Sequence, residues 1–221
     1  LLLMRLAALS PMGAFARALP WFGAATMIFG AILALNQENL QRLLAYSSMA
    51  HAGNVILGVG AWAALGESPV AAAAIFFYLA AYLFMNNGAF SFLKTSGAKT
   101  RADLRGLGAR HPESASAFAI LLLSLGGVPP TAGFLAKLLI FWAAFRARLY
   151  VPLLLAALGA LLALGYYLAL LKDLYFEEAP AMEPQLKPGG GLAVLWVCAV
   201  PAAVLGLAPW LLTYMTRLLT L

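Results

Sequence analysis

The stretch 115–145 constrains this chain more than any other. It runs for about 31 residues almost without a polar side chain, and as one straight helix it would measure roughly 46 Å at ~1.5 Å per residue. A bilayer core is about 30 Å thick and needs about 20 residues. The sequence marks where the interruption falls: Gly126, Gly127, Pro129, Pro130 and Gly133 crowd the middle. Proline has no N–H to donate and clashes with the preceding carbonyls, so the helix is expected to break within 126–133. Just past Gly133 stands Lys137, the one charge deep inside an apolar span. A broken helix with a buried ionisable group points to an ion pathway.

Composition sets the class. Hydrophobic residues make up 64% of the chain and charged residues 10%, with a mean hydropathy of +0.90. That is far from the makeup of a soluble domain, and the expected fold is an all-α polytopic membrane helix bundle. The net charge of +6 does not indicate nucleic acid, because the basic residues cluster in loops beside apolar spans, as membrane topology requires. The lone Cys198 rules out a disulfide framework and says nothing about compartment. The opening LLLMRLAAL lacks the charged n-region and cleavage site of a signal peptide. It reads like the middle of a helix, so the chain is expected to be the later part of something longer.

In order, 1–9 is the tail of a helix closed by Ser10, Pro11 and Gly13. A first complete span covers 19–35, with Trp21 near one interface. A turn at 36–39 offers Asn39 as the N-cap of the next span, 40–65, which stops at Gly66, Ser68 and Pro69. Span 70–93 leads into a polar loop over 94–113. The broken span follows and ends at Arg146 and Arg148. Span 150–171 precedes a second polar loop over 172–190, and the last span is 191–212, extending to 219 and kinked by Pro201 and Pro209. The expectation is six complete spans after a partial first one. Eight basic residues (Arg42, Lys94, Lys99, Arg101, Arg105, Arg110, Lys172, Lys187) fall on one side, against Arg17, Arg146, Arg148 and Arg217 on the other. That excess places the two polar loops in the cytoplasm and Lys137 on the half of its span nearer the outside.

Polar residues recur along single helix faces. Ser47, His51, Asn54 and Gly58 share one face of 40–65, with Tyr46 beside them; Tyr78, Tyr82 and Asn86 share one face of 70–93, with Asn87 next to them. Hydroxyls and amides in membrane helices often only knit helices together, at ~0.6 kcal/mol each. His51 differs, because an imidazole with an unperturbed pKa of about 6.5 carries protons reversibly. Lys137 differs too: a lysine stem can snorkel to the interface, but from mid-span it has far to reach.

The segments ENLQRLLAYSSMAHAG (38–53) and LSLGGVPPTAGFLAKLLIF (123–141) resemble the paired signatures of the antiporter-like subunits of respiratory complex I. The same family includes subunits of multisubunit sodium/proton antiporters, the alternative reading. FYLAAYLFMNNGAF (77–90) is similar to the span between those signatures in the subunit N branch. The resemblance implies about fourteen spans in two inverted repeats, of which this chain would supply the end of the eighth through the fourteenth. It also implies that the family's glutamate–lysine pair and a further lysine lie upstream of Leu1. Lys137 takes the position of the lysine or glutamate in the family's broken twelfth span. A lysine there resembles subunits N and L, and the lateral helix of subunit L does not follow the last span here, so subunit N is the branch expected. Where the family commonly reads NLKRLLAYSS, this chain has Gln41.

What the resemblance implies is proton translocation, with Lys137 and His51 transferring protons. An ammonium taken out of water is disfavoured against the neutral amine, which suits a group that must release its proton. Tyr46, Ser47, Tyr82 and Asn87 would support a hydrated axis leading to Lys137. Gly127, Pro129, Pro130, Thr131 and Gly133 would open the helix so that freed backbone groups hold water. A four-thiolate cluster within this chain is impossible with one cysteine. FMN, iron–sulfur clusters and quinone are expected on other subunits. The expected partners are the other membrane subunits of the complex, including another antiporter-like subunit, in the lipid bilayer of a bacterial inner membrane or an equivalent energy-transducing membrane.

Overall fold

The chain is described here by a computed structural model over residue 4 and residues 13–178 and 191–207. The expected helix tail at 1–9 with its close at Ser10 and Pro11, Lys187 and the rest of the second loop past Glu178, and the last span's continuation through Pro209 and Arg217 lie outside the described residues.

All regular elements among the described residues are helical. Helix α1 is Gly13–Leu35, α2 Leu40–Ala64 and α3 Pro69–Ser96; short turns at Arg101–Leu104 (3-10) and Leu107–Arg110 (α4) follow. Then come α5 (Pro112–Gly126), α6 (Ala132–Arg146), α7 (Tyr150–Phe176) and α8 (Gly191–Val204), with a closing 3-10 turn at Leu205–Leu207. The sequence placed most ends within a few residues. The polar loop expected over 94–113 is mostly taken up by helix, because Gly97 and Gly106 make the turns and Pro112 starts α5. Asn39 caps α2, its side chain accepting from the Arg42 N–H at 3.0 Å.

Among the described residues, three helices, over Phe15–Leu35, Pro69–Ser96 and Tyr150–Phe176, are long and apolar enough to cross a membrane; Pro112–Gly126 and Gly191–Leu207 are shorter apolar helices. Helix α2 is as long, but its polar stripe lowers its hydropathy. α5 and α6 are each half-length because the break divides them.

The helices pack around α2, α3 and α5–α6. α1 lies on α2 and α7, α3 on α6 and α8, and α5 on α3, α7 and α8. Gly23 and Gly53 let the α1 and α2 backbones touch, since a Cβ at Gly23 would stand 2.8 Å from the Gly53 carbonyl oxygen. Small residues at helix contacts serve this purpose in membranes. Aromatic rings fill the space between α3 and α5, where Phe92 and Phe118 stack at 3.9 Å.

One end of the bundle is pinned by polar contacts. The Leu40 N–H donates to the Lys99 carbonyl at 2.9 Å and the Arg101 N–H to that of Glu38 at 3.0 Å. Arg101 Nε meets the buried carboxylate of Asp173 at 2.7 Å. Asp103 Oδ2 accepts from the N–H groups of Lys99 and Thr100 at 2.9 and 2.8 Å. Burial pushes the Asp103 carboxyl up, but these backbone donors, with help from the Thr100 side chain and the Lys99 charge, outweigh it and hold the group below its ordinary value. Arg146 and Arg148 lie at the far end of α6, in the turn to α7.

Candidate functional site

The break between α5 and α6 leaves backbone groups that need partners, and those of α5 can be followed one by one. α5 ends on Gly127, whose φ of 84° is the left-handed conformation glycine adopts without steric cost. The Gly127 N–H reaches the Ser124 carbonyl at 3.0 Å and the Val128 N–H that of Leu123 at 2.9 Å, the paired bonds of a Schellman motif. The carbonyls of Leu125 and Gly126 remain. Lys137 takes both: its Nζ lies 2.8 Å from the Leu125 oxygen and 2.9 Å from that of Gly126. A cation there also faces the negative end of the α5 dipole. Side chains on a helix lean toward its N-terminus, so Lys137, in the second turn of α6, points back into the break.

On the α6 side, Thr131 is the N-cap. Its hydroxyl donates to the Val128 carbonyl at 2.6 Å and accepts, more weakly, from the Phe134 N–H at 3.5 Å. The Gly133 N–H donates to Ser124 Oγ at 3.1 Å. Pro129 and Pro130 are exposed at the tip of the turn and joined by a cis peptide.

His51 is buried on α2. Its Nδ1 lies 2.8 Å from the Tyr78 hydroxyl on α3, and its Nε2 lies 3.4 Å from the Tyr167 hydroxyl on α7. The Tyr167 hydroxyl is also bonded to Ser47 Oγ, one turn up α2. The Tyr82 ring packs on the imidazole with centroids 4.9 Å apart, and Tyr166 packs on Tyr167 at 4.5 Å. Lys137 and His51 stand on two helices, α6 and α2, that pack against each other. Farther along the same α2 stripe, Gly58 faces the side chain of Ile140 on α6.

Of the expected residues, the structure brings Ser47, His51 and Tyr82 together, and gathers Gly127, Thr131 and Gly133 around the break beside Lys137. Asn87 stands apart from these groups. It is exposed, its amide donates to the Leu83 carbonyl of its own helix at 2.7 Å, and it stands a further ~100° around α3 from Asn86. Tyr46 is offset from Ser47 in the same way. It is half-buried and packs on the core, while the hydroxyls bonded to His51 are those of Tyr78 and Tyr167. Tyr167 and Ser124 were missed. The adjacent pair Tyr166 and Tyr167 inside an otherwise apolar span was a signal available for the first. For Ser124, one serine in an apolar run, there was none.

The family described as NADH:quinone oxidoreductase/Mrp antiporter, TM, matches residues 1–163. NADH-quinone oxidoreductase subunit N 1 of Sorangium cellulosum is 42% identical over 193 residues, covering 83% of this chain and 37% of the relative. Subunit N of Desulfovibrio desulfuricans is 37% identical over 227 residues, covering 94% of this chain and 44% of the relative. A chain in the structure of respiratory complex I from Thermus thermophilus with bound aureothin superposes with a TM-score of 0.73 at 32% identity, over 88% of this chain and 44% of that one. A chain of the Mrp complex from Dietzia sp. DQ12-45-1b gives 0.78 at 22% identity, over 91% and 46%, a likeness of fold alone. The chain spans under half the length of the curated relatives it matches.

Proposed function

The chain belongs to the NADH:quinone oxidoreductase/Mrp antiporter transmembrane family, and from that premise we propose that it is the later part of a proton-translocating membrane subunit of NADH:quinone oxidoreductase, of the subunit N kind. Counting α5 and α6 as one broken span, the described helices make six spans, and the whole of 1–221 acts as one half-channel of an antiporter-like domain. NADH oxidation and quinone reduction take place on other subunits, which hold the FMN, iron–sulfur clusters and quinone. The other membrane subunits, another antiporter-like one among them, are its partners in a bacterial inner membrane or its equivalent. The identities of 36–42% to proteins named subunit N favour this over a sodium/proton antiporter, to which the likeness is at 22% identity.

The observation that carries the reading is the hold on Lys137. An ammonium has three N–H donors and a neutral amine two, and two carbonyls face Nζ. Release of one proton therefore leaves both carbonyls with a donor, and the helix cap survives in either state. A residue that only capped α5 would need no such freedom. His51 fits the same role, because hydroxyls face both ring nitrogens and a hydroxyl donates or accepts as required. A proton can arrive at one nitrogen and leave from the other.

The test is NADH-driven proton pumping in membrane vesicles carrying the complete complex. Lys137→Arg keeps a cation at the break, yet its guanidinium, with a pKa of about 12.5 or more, does not release a proton in the cycle. Lys137→Ala has nothing to titrate. Both variants are expected to assemble and fail to pump. An assembled Lys137→Arg complex pumping at the parental rate would reduce Lys137 to a structural cation.

A further inference from the structure

Ser124 is wholly buried, and it lies at the meeting point of four helices. Its Oγ accepts from the Gly133 N–H of α6 at 3.1 Å. Its own proton has two acceptors in reach, the Met85 sulfur of α3 at 2.9 Å and the Ala202 carbonyl of α8 at 3.3 Å. Its backbone carbonyl takes the Gly127 N–H that closes α5. The α6 backbone lies directly on this residue, because a Cβ at Gly133 would fall on the Ser124 carbonyl oxygen. The last span closes over the same place: a Cβ at Gly206 would run into the backbone of Pro130 and Thr131.

We propose that Ser124 is a positioning residue that sets the two half-helices in register, so that the Leu125 and Gly126 carbonyls meet the Lys137 ammonium. This rests on the proton-relay reading of Lys137. Among the described residues, the hydrogen bonds that cross from α5 to α6 are those of Lys137 and this one from Gly133 to Ser124. Leu125 is the next residue after Ser124, so a shift of the serine relative to α6 moves the lysine's acceptors directly. The chemistry required is narrow: one small side-chain atom must accept from an amide and donate to another helix at the same time, and a hydroxyl does both. Alanine and valine do neither. The geometry also gives α8 a part in the site, since the Ala202 carbonyl is one of the two acceptors within reach of the serine proton.

The experiment compares Ser124→Ala, Ser124→Thr and Ser124→Val in the complete complex. Pumping per assembled complex is read together with hydrogen–deuterium exchange of peptides spanning 124–135, and Lys137→Ala is run alongside. Ser124→Ala and Ser124→Val are expected to lose pumping by about tenfold, the cost of one buried donor left unpaired, and to exchange faster across the break. Ser124→Thr, which restores the hydroxyl in the shape of valine, is expected to recover both. Assembled threonine and valine variants behaving alike, or Ser124→Ala pumping at the parental rate per complex, would overturn the proposal. If the added methyl prevents both larger variants from assembling, Ser124→Ala decides alone: unchanged exchange and unchanged pumping per complex reject the role. Normal pumping by Lys137→Ala, beside faster exchange in Ser124→Ala, would remove the relay and leave the register role standing.

Discussion

His51 Nδ1 and the Tyr78 hydroxyl lie 2.8 Å apart and join α2 to α3 in the interior of the bundle. Tyr78→Phe keeps the ring and its packing and removes only the oxygen. The imidazole then loses its Nδ1 partner in a buried place, a cost of about 1–3 kcal/mol. The variant complex is expected to assemble and to pump more slowly, measured as the initial rate of vesicle acidification on NADH addition. Parental pumping would take Tyr78 and that side of His51 out of the route.

Gly127 and Gly97 both hold a left-handed backbone, at φ 84° and 69°. A methyl at Gly97 would meet nothing within 4 Å, whereas one at Gly127 would stand 3.0 Å from Lys137 Cδ and 3.1 Å from Nζ. Alanine at either position carries a similar backbone strain of roughly 1–2 kcal/mol. Thermal stability of the complex should therefore fall alike in the two variants, while pumping falls in Gly127→Ala only. Equal pumping in both would mean that the space beside the lysine is not critical.

The ion pair of Arg101 and Asp173 is asymmetric, with the arginine side chain 24% exposed and the aspartate 6%. Arg101→Gln strands a buried carboxylate. Asp173→Asn strands a guanidinium that reaches water. Arginine loss is expected to cost about 2 kcal/mol and aspartate neutralisation under about 1. Thermal unfolding of the two variants checks the order, and the reverse order would show that other cations compensate Asp173.

Asp103 gives the loop at 97–106 a pH dependence of known sign. Its carboxyl is held below its ordinary value in the folded chain, so it stabilises the loop at pH above the unfolded value of about 3.9. That contribution is lost as pH falls through the lower folded value. Proteolysis within the loop should accelerate on acidification below about pH 4, and in Asp103→Ala it should be fast already at neutral pH. A loop equally resistant in both proteins would remove Asp103 as its fastening.

The residues that were legible in the sequence act locally. Gly126, Gly127, Pro129 and Pro130 break a helix whatever surrounds them, and a lysine in an apolar run is conspicuous by itself. The His51 stripe was legible because helical period alone places Ser47, His51 and Asn54 on one face. Asn87 and Tyr46 each stand one residue, and so about 100°, off the polar faces beside which the sequence puts them. Ser124 and Tyr167 draw their roles from partners up to 120 positions away in sequence. No local pattern encodes such a meeting; only the packing of α5, α7 and α8 produces it.

The groups that hold Lys137 are backbone carbonyls, which carry partial dipoles and no net charge of their own. On the relay reading, a whole elementary charge appears and disappears with the proton at this point. A charge halfway across a bilayer feels about 1 kcal/mol per 100 mV of transmembrane voltage. On that reading, the potential that pumping builds bears back on the occupancy of this lysine, and the site acts as a voltmeter whose back-pressure grows as the membrane charges.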